Sequence, residues 1–445
     1  MGALLAGCEA SPAGEPPFEL GALEIGTAGM DTVLLARWQT ATPRADHLTV
    51  TFGEESIDIV EPEPVTEHAV PLIGVPPNEE AVVQLFAAGA RVAEGTGTTG
   101  SLPAWVPAFG WSANAPDQTE GGLTLVSIAS GGGERGGALI LDGAGRVVWS
   151  YPPEDAGIDL MYRVRLSLDG KAVLANLLAP NAAASGPIYR IALADASLDI
   201  VGITGGHVDF VEPVPGVYAS LGWDIREIDG RRILGDTLVE RAADGTERVV
   251  WNVWDHFAPD LSVTWPRMYI ADDGVEDWSH INGLSYAVGE DAYYATMTFN
   301  HGVARIDRSS GSLSWVLSPH ESDFALDDPG QLAYPHSAER LPDGGLLVFN
   351  RADSGEPGVP AFVSEFALEE AAGVATTRWR YEDPAGVRVA YLGSAQRLAG
   401  GNTVISWASA GQLDEVTPEG EVAWRVTASI GEAFGFATRY PGVSW

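Results

Sequence analysis

A short motif that ends in tryptophan recurs along this chain of 445 residues and constrains its fold more than any other feature. In each copy, a turn containing glycine is followed by a short strand that ends in tryptophan. The copies end at Trp149, Trp251, Trp315, Trp379 and Trp424, and residues 197–200 form a degenerate copy. The copies follow one another at intervals typical of the blades of a β-propeller, in which small β-sheets are arranged around a central axis. We therefore predict an all-β fold with a six-bladed β-propeller over residues 109–445.

The N-terminal region has a different pattern. Short apolar strands are predicted at residues 33–38, 47–52 and 81–86, each bounded by turn residues. This spacing is typical of a small β-sandwich of the fibronectin or immunoglobulin type, which we expect at residues 19–94. Residues 95–108 are rich in Gly, Thr and Pro and are predicted to be a linker.

The one cysteine, Cys8, follows residues 4–7 (LLAG), and this context resembles the lipobox of bacterial lipoproteins. We expect residues 1–18 to be the remnant of a lipoprotein signal and a tether, with Cys8 lipidated and the natural start further upstream. The expected location is the cell envelope, as a periplasmic or outer-membrane lipoprotein. A chance match at a disordered terminus is the alternative. No run of about 18 apolar residues predicts a membrane span.

The net charge of −36, from 25 basic and 61 acidic residues, argues against nucleic acid as a partner. An anionic substrate would need a local positive site within this acidic molecule. A cluster of histidine and arginine in a cavity is therefore the feature to search for.

A second repeat places three of the eight histidines in one register. Gly170, Gly216, Gly289, Gly345 and Gly400 lie in turns, and the residues nine positions earlier are Met161, His207, His280, His336 and Tyr391. The strand entering such a turn is the innermost strand of a blade, so these five residues are expected to line the central channel at similar depth. The other histidines, expected in solvated loops, are His47, His68, His256, His301 and His320.

Two explanations of the histidine trio remain besides a catalytic one. Three histidines can form a packed structural cluster. They can also bind zinc or another divalent metal, since imidazole is a common ligand. We predict neither a metal nor an organic cofactor.

Four segments carry a resemblance to a known family. They are residues 206–209 (GHVD), 277–282 (DWSHIN), 334–350 (YPHSAERLPDGGLLVFN) and 437–442 (ATRYPG). In this order they resemble the bacterial arylsulfotransferases, which use aryl sulfates as donors without a nucleotide cofactor. The last segment resembles the strand that closes the ring of that family.

The resemblance implies sulfuryl transfer from an aryl sulfate to a phenol through a sulfohistidine. It assigns His336 as the nucleophile, and His207 and His280 as donors of hydrogen bonds to the sulfate and as proton carriers. Asn282 is expected to support the loop of His280 and to bind substrate, and Asp209 to orient His207. Ordinary turn bonding is the alternative for both residues. Aryl sulfates and phenols are therefore the expected small-molecule partners.

The chain departs from the family at one position. An arginine is expected on the strand after the DWSHIN segment, and counting without gaps places Thr298 there. A threonine hydroxyl can bind substrate by a hydrogen bond but carries no positive charge. Arg351 or Arg163 is the candidate replacement. The alternative function is a catalytically impaired propeller that binds ligands or serves as a scaffold in the envelope.

Overall fold

The computed structural model describes residues 21–61, 63–130, 136–152, 161–177, 183–266, 275–352, 359–428 and 432–440. Cys8 and the predicted tether lie outside these residues. The fold is all-β, as predicted. Helix in the described residues is limited to short 3₁₀ turns at Pro116–Gln118, Val253–Asp255, Val288–Glu290, Pro329–Gln331 and Ala408–Ala410.

The N-terminal region contains two sheets. Its strands are β1 (Glu24–Thr27), β2 (Leu34–Arg44), β3 (His47–Phe52), β4 (Glu55–Val60), β5 (Val65–Leu72), β6 (Glu80–Ala87) and β7 (Ala90–Thr98). The sheet orders are β1-β2-β5 and β4-β3-β6-β7. Every second residue of β6 is buried, which explains why this alternating sequence forms a strand with one covered face. The segment predicted as a linker from residue 95 begins inside β7.

The rest of the described chain forms strands β8 to β34. They are β8 (Phe109–Ala113), β9 (Leu123–Ser130), β10 (Gly137–Leu141), β11 (Val147–Tyr151), β12 (Val164–Leu166), β13 (Ala172–Asn176), β14 (Ser185–Ala192), β15 (Leu198–Thr204), β16 (His207–Val214), β17 (Val217–Ile228), β18 (Arg231–Arg241), β19 (Glu247–Asn252), β20 (Val275–Asp277), β21 (Ile281–Ala287), β22 (Ala292–Met297), β23 (Gly302–Asp307), β24 (Leu313–Leu317), β25 (Ala325–Leu326), β26 (Pro335–Arg340), β27 (Gly345–Asn350), β28 (Phe362–Glu369), β29 (Val374–Glu382), β30 (Ser394–Arg397), β31 (Thr403–Ser406), β32 (Gln412–Val416), β33 (Val422–Ala428) and β34 (Glu432–Tyr440).

These strands form six further sheets within the described residues. Their orders are β11-β10-β9-β34, β12-β13-β14-β15, β16-β17-β18-β19, β21-β22-β23-β24, β25-β29-β28-β27-β26 and β30-β31-β32-β33-β8, with β20 added in parallel beside β18. All residues of β10, β13, β22 and β27, each of which lies between two other strands of its sheet, are buried. Both faces of these strands are covered, which explains their continuous apolar sequences.

The six sheets meet through their inner strands, β12, β16, β21, β26, β30 and β34. Strand β21 contacts β16 and β26, β30 contacts β26 and β34, and β12 contacts β34. The arrangement is propeller-like. The C-terminal strand β34 joins the sheet of β9, and the early strand β8 joins the last sheet, so both ends of this region take part in the ring. Residues 437–440 thus form a closing strand, as their resemblance implied.

The tryptophan repeat lies on the outer strands. Trp149, Trp251, Trp315, Trp379 and Trp424 belong to β11, β19, β24, β29 and β33. In each of these strands the pairing register shifts beside the tryptophan, as in a β-bulge. Strand β15 holds the degenerate copy and pairs without a shift. Each tryptophan of the repeat therefore marks a β-bulge in an outer strand, and the degenerate copy, which has no tryptophan, has no bulge.

The N-terminal sheets pack on the first sheets of the ring. Their buried apolar residues, such as Leu48 and Leu85, share one core with Trp149 and Val173. Across the same boundary, the guanidinium of Arg146 donates hydrogen bonds of 2.8 and 2.7 Å to Glu55.

None of the helical segments in the described residues has the length and apolar character needed to cross a membrane.

Candidate active site

The three predicted histidines lie at the start of three consecutive inner strands. His207 is the first residue of β16, His280 directly precedes β21, and His336 is the second residue of β26. Their exposed fractions are 4%, 8% and 4%. The charge of His280 lowers the pKa of His336, and His207 acts on the pKa of Asp277 beside His280. The structure therefore brings the three histidines into one electrostatic cluster.

The glycine register does not correspond to the pairing register of the inner strands. His336 lies in an irregularity between Pro335 and Ser337, the place that Asn282 takes in β21. His280 lies before the corresponding irregularity. Tyr391 is 40% exposed, whereas Met161 is fully buried. The prediction that five residues share one depth is wrong, because bulges and turns of different length change the spacing between a glycine and the channel.

His336 is set up as a neutral imidazole. Its Nδ1 atom is buried and has no hydrogen-bond partner. Burial, with the positive charges of Arg351 and His280, holds the pKa of His336 well below its ordinary value. The ring of Phe436 lies 5.5 Å away, between centroids. A neutral imidazole keeps a lone pair on one nitrogen, so this side chain has the form needed for nucleophilic attack.

His280 is set up as an imidazolium. Its Nδ1 atom lies 2.5 Å from Oδ2 of Asp277, and its backbone N–H donates to Oδ1 of the same carboxylate. Burial alone would lower the pKa of His280, but the charge and hydrogen bond of Asp277, with the charge of Asp236, raise it. The ring stacks on Phe299 at 4.9 Å. Its φ of 43° places the backbone in the left-handed region, a strained conformation that this packing maintains.

Asp277 was not assigned a role from the sequence. It lies three residues before His280 at the end of β20, which runs parallel to β18. The spacing of an acidic residue and a histidine within one turn was the signal that could have identified this pair.

Both ring nitrogens of His207 bond within the protein. Nε2 lies 3.0 Å from Oδ1 of Asp236, and Nδ1 lies 3.2 Å from the carbonyl oxygen of Gly205. The ring stacks on Trp223 at 4.6 Å. Asp236 also accepts hydrogen bonds from Ser279 Oγ at 2.5 Å and from the Ile281 N–H at 2.8 Å. Asp236 therefore links His207 to the segment that holds His280, and no local sequence motif indicates this link.

Asp209 does not orient His207, contrary to expectation. Its carboxylate accepts two hydrogen bonds of 2.8 Å from Arg163 and one of 2.8 Å from the Leu284 N–H. Arg163 also lies 3.6 Å above the centre of the Phe436 ring. The reason is an irregularity in the pairing of β16 between His207 and Phe210. It interrupts the alternation of side chains, and Asp209 meets Arg163 beside β12.

Thr298 and Asn282 join β21 and β26, the strands at which His280 and His336 lie. The Thr298 hydroxyl donates to the carbonyl oxygen of Pro335 at 3.2 Å and accepts from the side-chain amide of Asn282. The Thr298 N–H donates to the carbonyl oxygen of His280 at 3.1 Å. Both side chains are almost completely buried. The structure thus places Thr298 and Asn282 as a brace between β21 and β26, and their contact with substrate stays a prediction.

Arg351 supplies positive charge near the histidines. Its positive charge contributes to the lowered pKa of His336. The same charge opposes, but does not cancel, the rise that Asp277 causes in the pKa of His280. Nη1 donates to the Ala390 carbonyl oxygen at 2.9 Å, whereas Nε is buried without a hydrogen-bond partner. Arg163 is held by Asp209, so Arg351 is the better candidate for the positive charge missing at Thr298.

Among the described residues, three ligand atoms that lie within 4.8 Å of one another occur at Asp46, Glu61 and His68, and not at the three histidines of the cluster. His68 was expected in a solvated loop but is buried, with Nδ1 2.8 Å from Glu61 and its ring stacked on Trp38.

Trp278, in the same segment as His280, is also buried, and it packs against Trp254 in the protein core.

The fold and this centre define a propeller-like all-β protein with a buried cluster of histidines and carboxylates. Residues 222–424 match the model of the arylsulfotransferase (ASST) family. The matched residues include His280, Thr298, His336 and Arg351. This part of the chain is therefore similar to the arylsulfotransferase family, as its two motifs at residues 277–282 and 334–350 predicted, and the match supports a sulfotransferase-like enzyme.

Among curated proteins, none matches the chain. The solved structures similar to it include the periplasmic gluconolactonase PpgL of Pseudomonas aeruginosa, with 16% identity, coverage of 72% of this chain and 98% of that chain, and a TM-score of 0.44. Virginiamycin B lyase of Staphylococcus aureus has 12% identity, coverage of 75% and 100%, and a TM-score of 0.38. A protein of unknown function from Bacteroides caccae has 14% identity, coverage of 70% and 95%, and a TM-score of 0.40.

Proposed function

We propose that this protein transfers a sulfuryl group from an aryl sulfate to a phenolic acceptor through a sulfohistidine on His336, without a nucleotide cofactor. The observation that carries the proposal is the buried ring of His336, whose Nδ1 atom has no hydrogen-bond partner. The charges of Arg351 and His280 lower the pKa of His336, which favours its neutral form. The family match of the same segment supports the proposal.

In the first step, a ring nitrogen of His336 forms a bond to sulfur while the bond between sulfur and the aryl oxygen breaks. The electron pair leaves on the phenolate oxygen, and His280 transfers its proton to that oxygen. In the second step, the acceptor phenol gives its proton to His280, its oxygen attacks sulfur, and His336 is released. Asp277 stabilises the charged form of His280 that precedes the first step and is restored by the second.

Arg351 provides the electrostatic component. An aryl sulfate is an anion entering a chain of net charge −36, so a guanidinium near the reacting centre offsets the repulsion. In a site with little water, such a charge also stabilises the equatorial oxygens in the transition state. Thr298 and Asn282 hold β21 and β26 at the spacing this chemistry needs.

The proposal extends to the organisation of the chain. The six sheets of the ring are the blades of a six-bladed propeller, and the two N-terminal sheets form a fibronectin-like sandwich. The chain is attached to the cell envelope by a lipid on Cys8, so the substrates are aryl sulfates and phenols of that compartment.

The test is release of 4-nitrophenolate from 4-nitrophenyl sulfate, with phenol as acceptor. We expect His336→Ala to lower the rate by roughly 10³-fold or more. The matched control is His256→Ala, since His256 is exposed and stacks on Trp251 outside this cluster. A donor-treated protein should gain the mass of one SO₃ group on His336.

Two results overturn the transfer proposal. One is equal turnover by the wild type and His336→Ala. The other is binding of the aryl sulfate without turnover by any acceptor, which identifies the impaired binding module instead.

A further inference from the structure

A cavity lies at the ends of the six inner strands, away from the three histidines. Its volume is about 330 Å³, within the range of small-molecule sites. All six inner strands contribute to its wall, and the polar residues include Arg165, Glu212, Ser285, Glu339, Gln396 and Tyr440. None of the three histidines lines it.

An ion pair separates this cavity from the histidine cluster. Arg163 lines the cavity, is held by Asp209, and covers the ring of Phe436. Phe436 in turn lies beside His336. The buried Arg163, paired with Asp209, and the ring of Phe436 therefore lie between this cavity and His336. The cavity is distinct from the site proposed for sulfuryl transfer.

Several polar groups of this cavity have hydrogen-bonding capacity that the described residues do not use. Ser285 Oγ is buried without a hydrogen bond. Tyr440 accepts a hydrogen bond from the Leu166 N–H, which leaves its own hydroxyl proton to donate. Glu339 accepts one hydrogen bond, from the Arg397 N–H at 2.8 Å. Buried polar groups are nearly always satisfied in proteins, so a ligand that both donates and accepts would complete this set.

The charges of the cavity favour an uncharged ligand. Arg163 and Arg165 face Asp209, whose carboxylate bonds both. Burial raises the pKa of Glu339 to about 7, and burial with the charge of Arg163 lowers the pKa of Arg165 to about 10. An anion would meet the carboxylates of Glu212 and Glu339, whereas a cation would meet the arginines. Neither sign of charge gains a clear advantage.

The rim of the cavity is apolar. Leu168 and Val288 line it with exposed fractions of 54% and 77%. Exposed apolar side chains beside a polar cavity are typical of ligand sites, because they cover the apolar face of a bound ring.

We propose that this cavity is a second binding site, for a small uncharged ring compound that carries hydroxyl groups, such as a cyclic sugar or a polyphenol. Its hydroxyls donate to Glu339 and accept from Ser285 and Tyr440, while its carbon face contacts Leu168 and Val288. The proposal stands without the transfer reaction, since it uses none of the residues assigned to that reaction.

The experiment is calorimetric titration of the full chain with glucose and with catechol, and with benzoate as the anionic control. We expect glucose or catechol to bind and benzoate to bind at least tenfold more weakly. Glu339→Gln and Ser285→Val should each weaken binding by about three- to tenfold, at unchanged melting temperature. His336→Ala should change it less than twofold, even if that variant or the wild type shows no sulfuryl transfer.

The outcome decides between a ligand site and a solvent-filled funnel. Absence of binding by both hydroxylated probes overturns the proposal. So does an affinity unchanged in both Glu339→Gln and Ser285→Val, or a loss of binding in His336→Ala, which would place the ligand at the histidines. A preference for catechol over glucose would identify the ligand as a phenol, and the reverse would identify a sugar.

Discussion

The Nδ1 atom of His280 lies 2.5 Å from Oδ2 of Asp277, three residues earlier in the chain. This contact divides the roles of two buried histidines. It maintains a proton on His280, and the resulting positive charge helps to keep His336 neutral. Two titratable groups with pKa values moved apart are the arrangement expected of an acid and a nucleophile in one site.

Removal of the Asp277 charge should impair proton delivery to the leaving group. In Asp277→Asn, burial of His280 is no longer opposed and its pKa falls. We expect the rate to fall by about 10²–10⁴-fold with aryl sulfates of weakly acidic phenols, and less with 4-nitrophenyl sulfate. The exposed Asp255→Asn serves as control. An equal loss with all leaving groups would contradict this role.

The pH dependence of the reaction follows from the same two groups. His336 must be neutral, and its lowered pKa satisfies this condition from well below pH 6.5 upwards. His280 must be protonated, and its raised pKa extends this condition above pH 6.5. We therefore expect activity near neutral pH that decreases as the pH rises through the pKa of His280. In Asp277→Asn the decrease should occur at lower pH, and an unshifted profile would exclude His280 as the acid.

The buried pair of Arg163 and Asp209 should make a large contribution to stability. Asp209→Ala leaves a buried guanidinium without its carboxylate, which costs about 3–5 kcal/mol in the free energy of unfolding. Urea denaturation measures this cost. The double variant Arg163→Met, Asp209→Leu removes both charges of the pair, so that only Arg165 loses a carboxylate neighbour, and it should lose less. Equal losses in the two variants would show that the pair is not the cause.

Stability should also depend on pH through Asp209. Burial opposes its charge, but Arg163 and Arg165 hold the pKa of Asp209 below its ordinary value. The stabilisation is therefore complete above about pH 4, the pKa of an unfolded aspartate, and is lost as the pH falls towards the native pKa. Asp209→Asn should remove this part of the acid dependence.

Gly393 should not tolerate a side chain. Its φ is +115°, and a Cβ would lie 2.1 Å from Cε1 of Phe349. Gly393→Ala should lower the free energy of unfolding by at least about 1–3 kcal/mol, because both the backbone and the packing are strained. Gly289→Ala is the matched control, since its Cβ would meet open space. Equal denaturation midpoints of the two variants would contradict this prediction.

The repeat was visible in the sequence because each copy is local. A turn, a short strand and a tryptophan lie within a few residues, so Trp149 and Trp315 marked repeated short strands without knowledge of the fold. The same locality identified the segments around His280 and His336, and the family match covers both.

The partners of the histidines were not visible in this way. Asp236 is 29 residues after His207 and belongs to a different strand, while Asp209, two residues from His207, bonds Arg163 instead. Alternation in a strand assigns faces, but a bulge reverses the assignment, and the sequence does not show where a bulge lies in an inner strand.

The all-β class, the repeat and the three histidines could be predicted from the sequence, since they depend on patterns within single segments. The carboxylates that meet His207 and His280, and the pairing of Arg163 rather than Arg351 with a carboxylate, became known from the folded structure. These properties depend on contacts between distant strands, where burial and neighbouring charge set the protonation of each group.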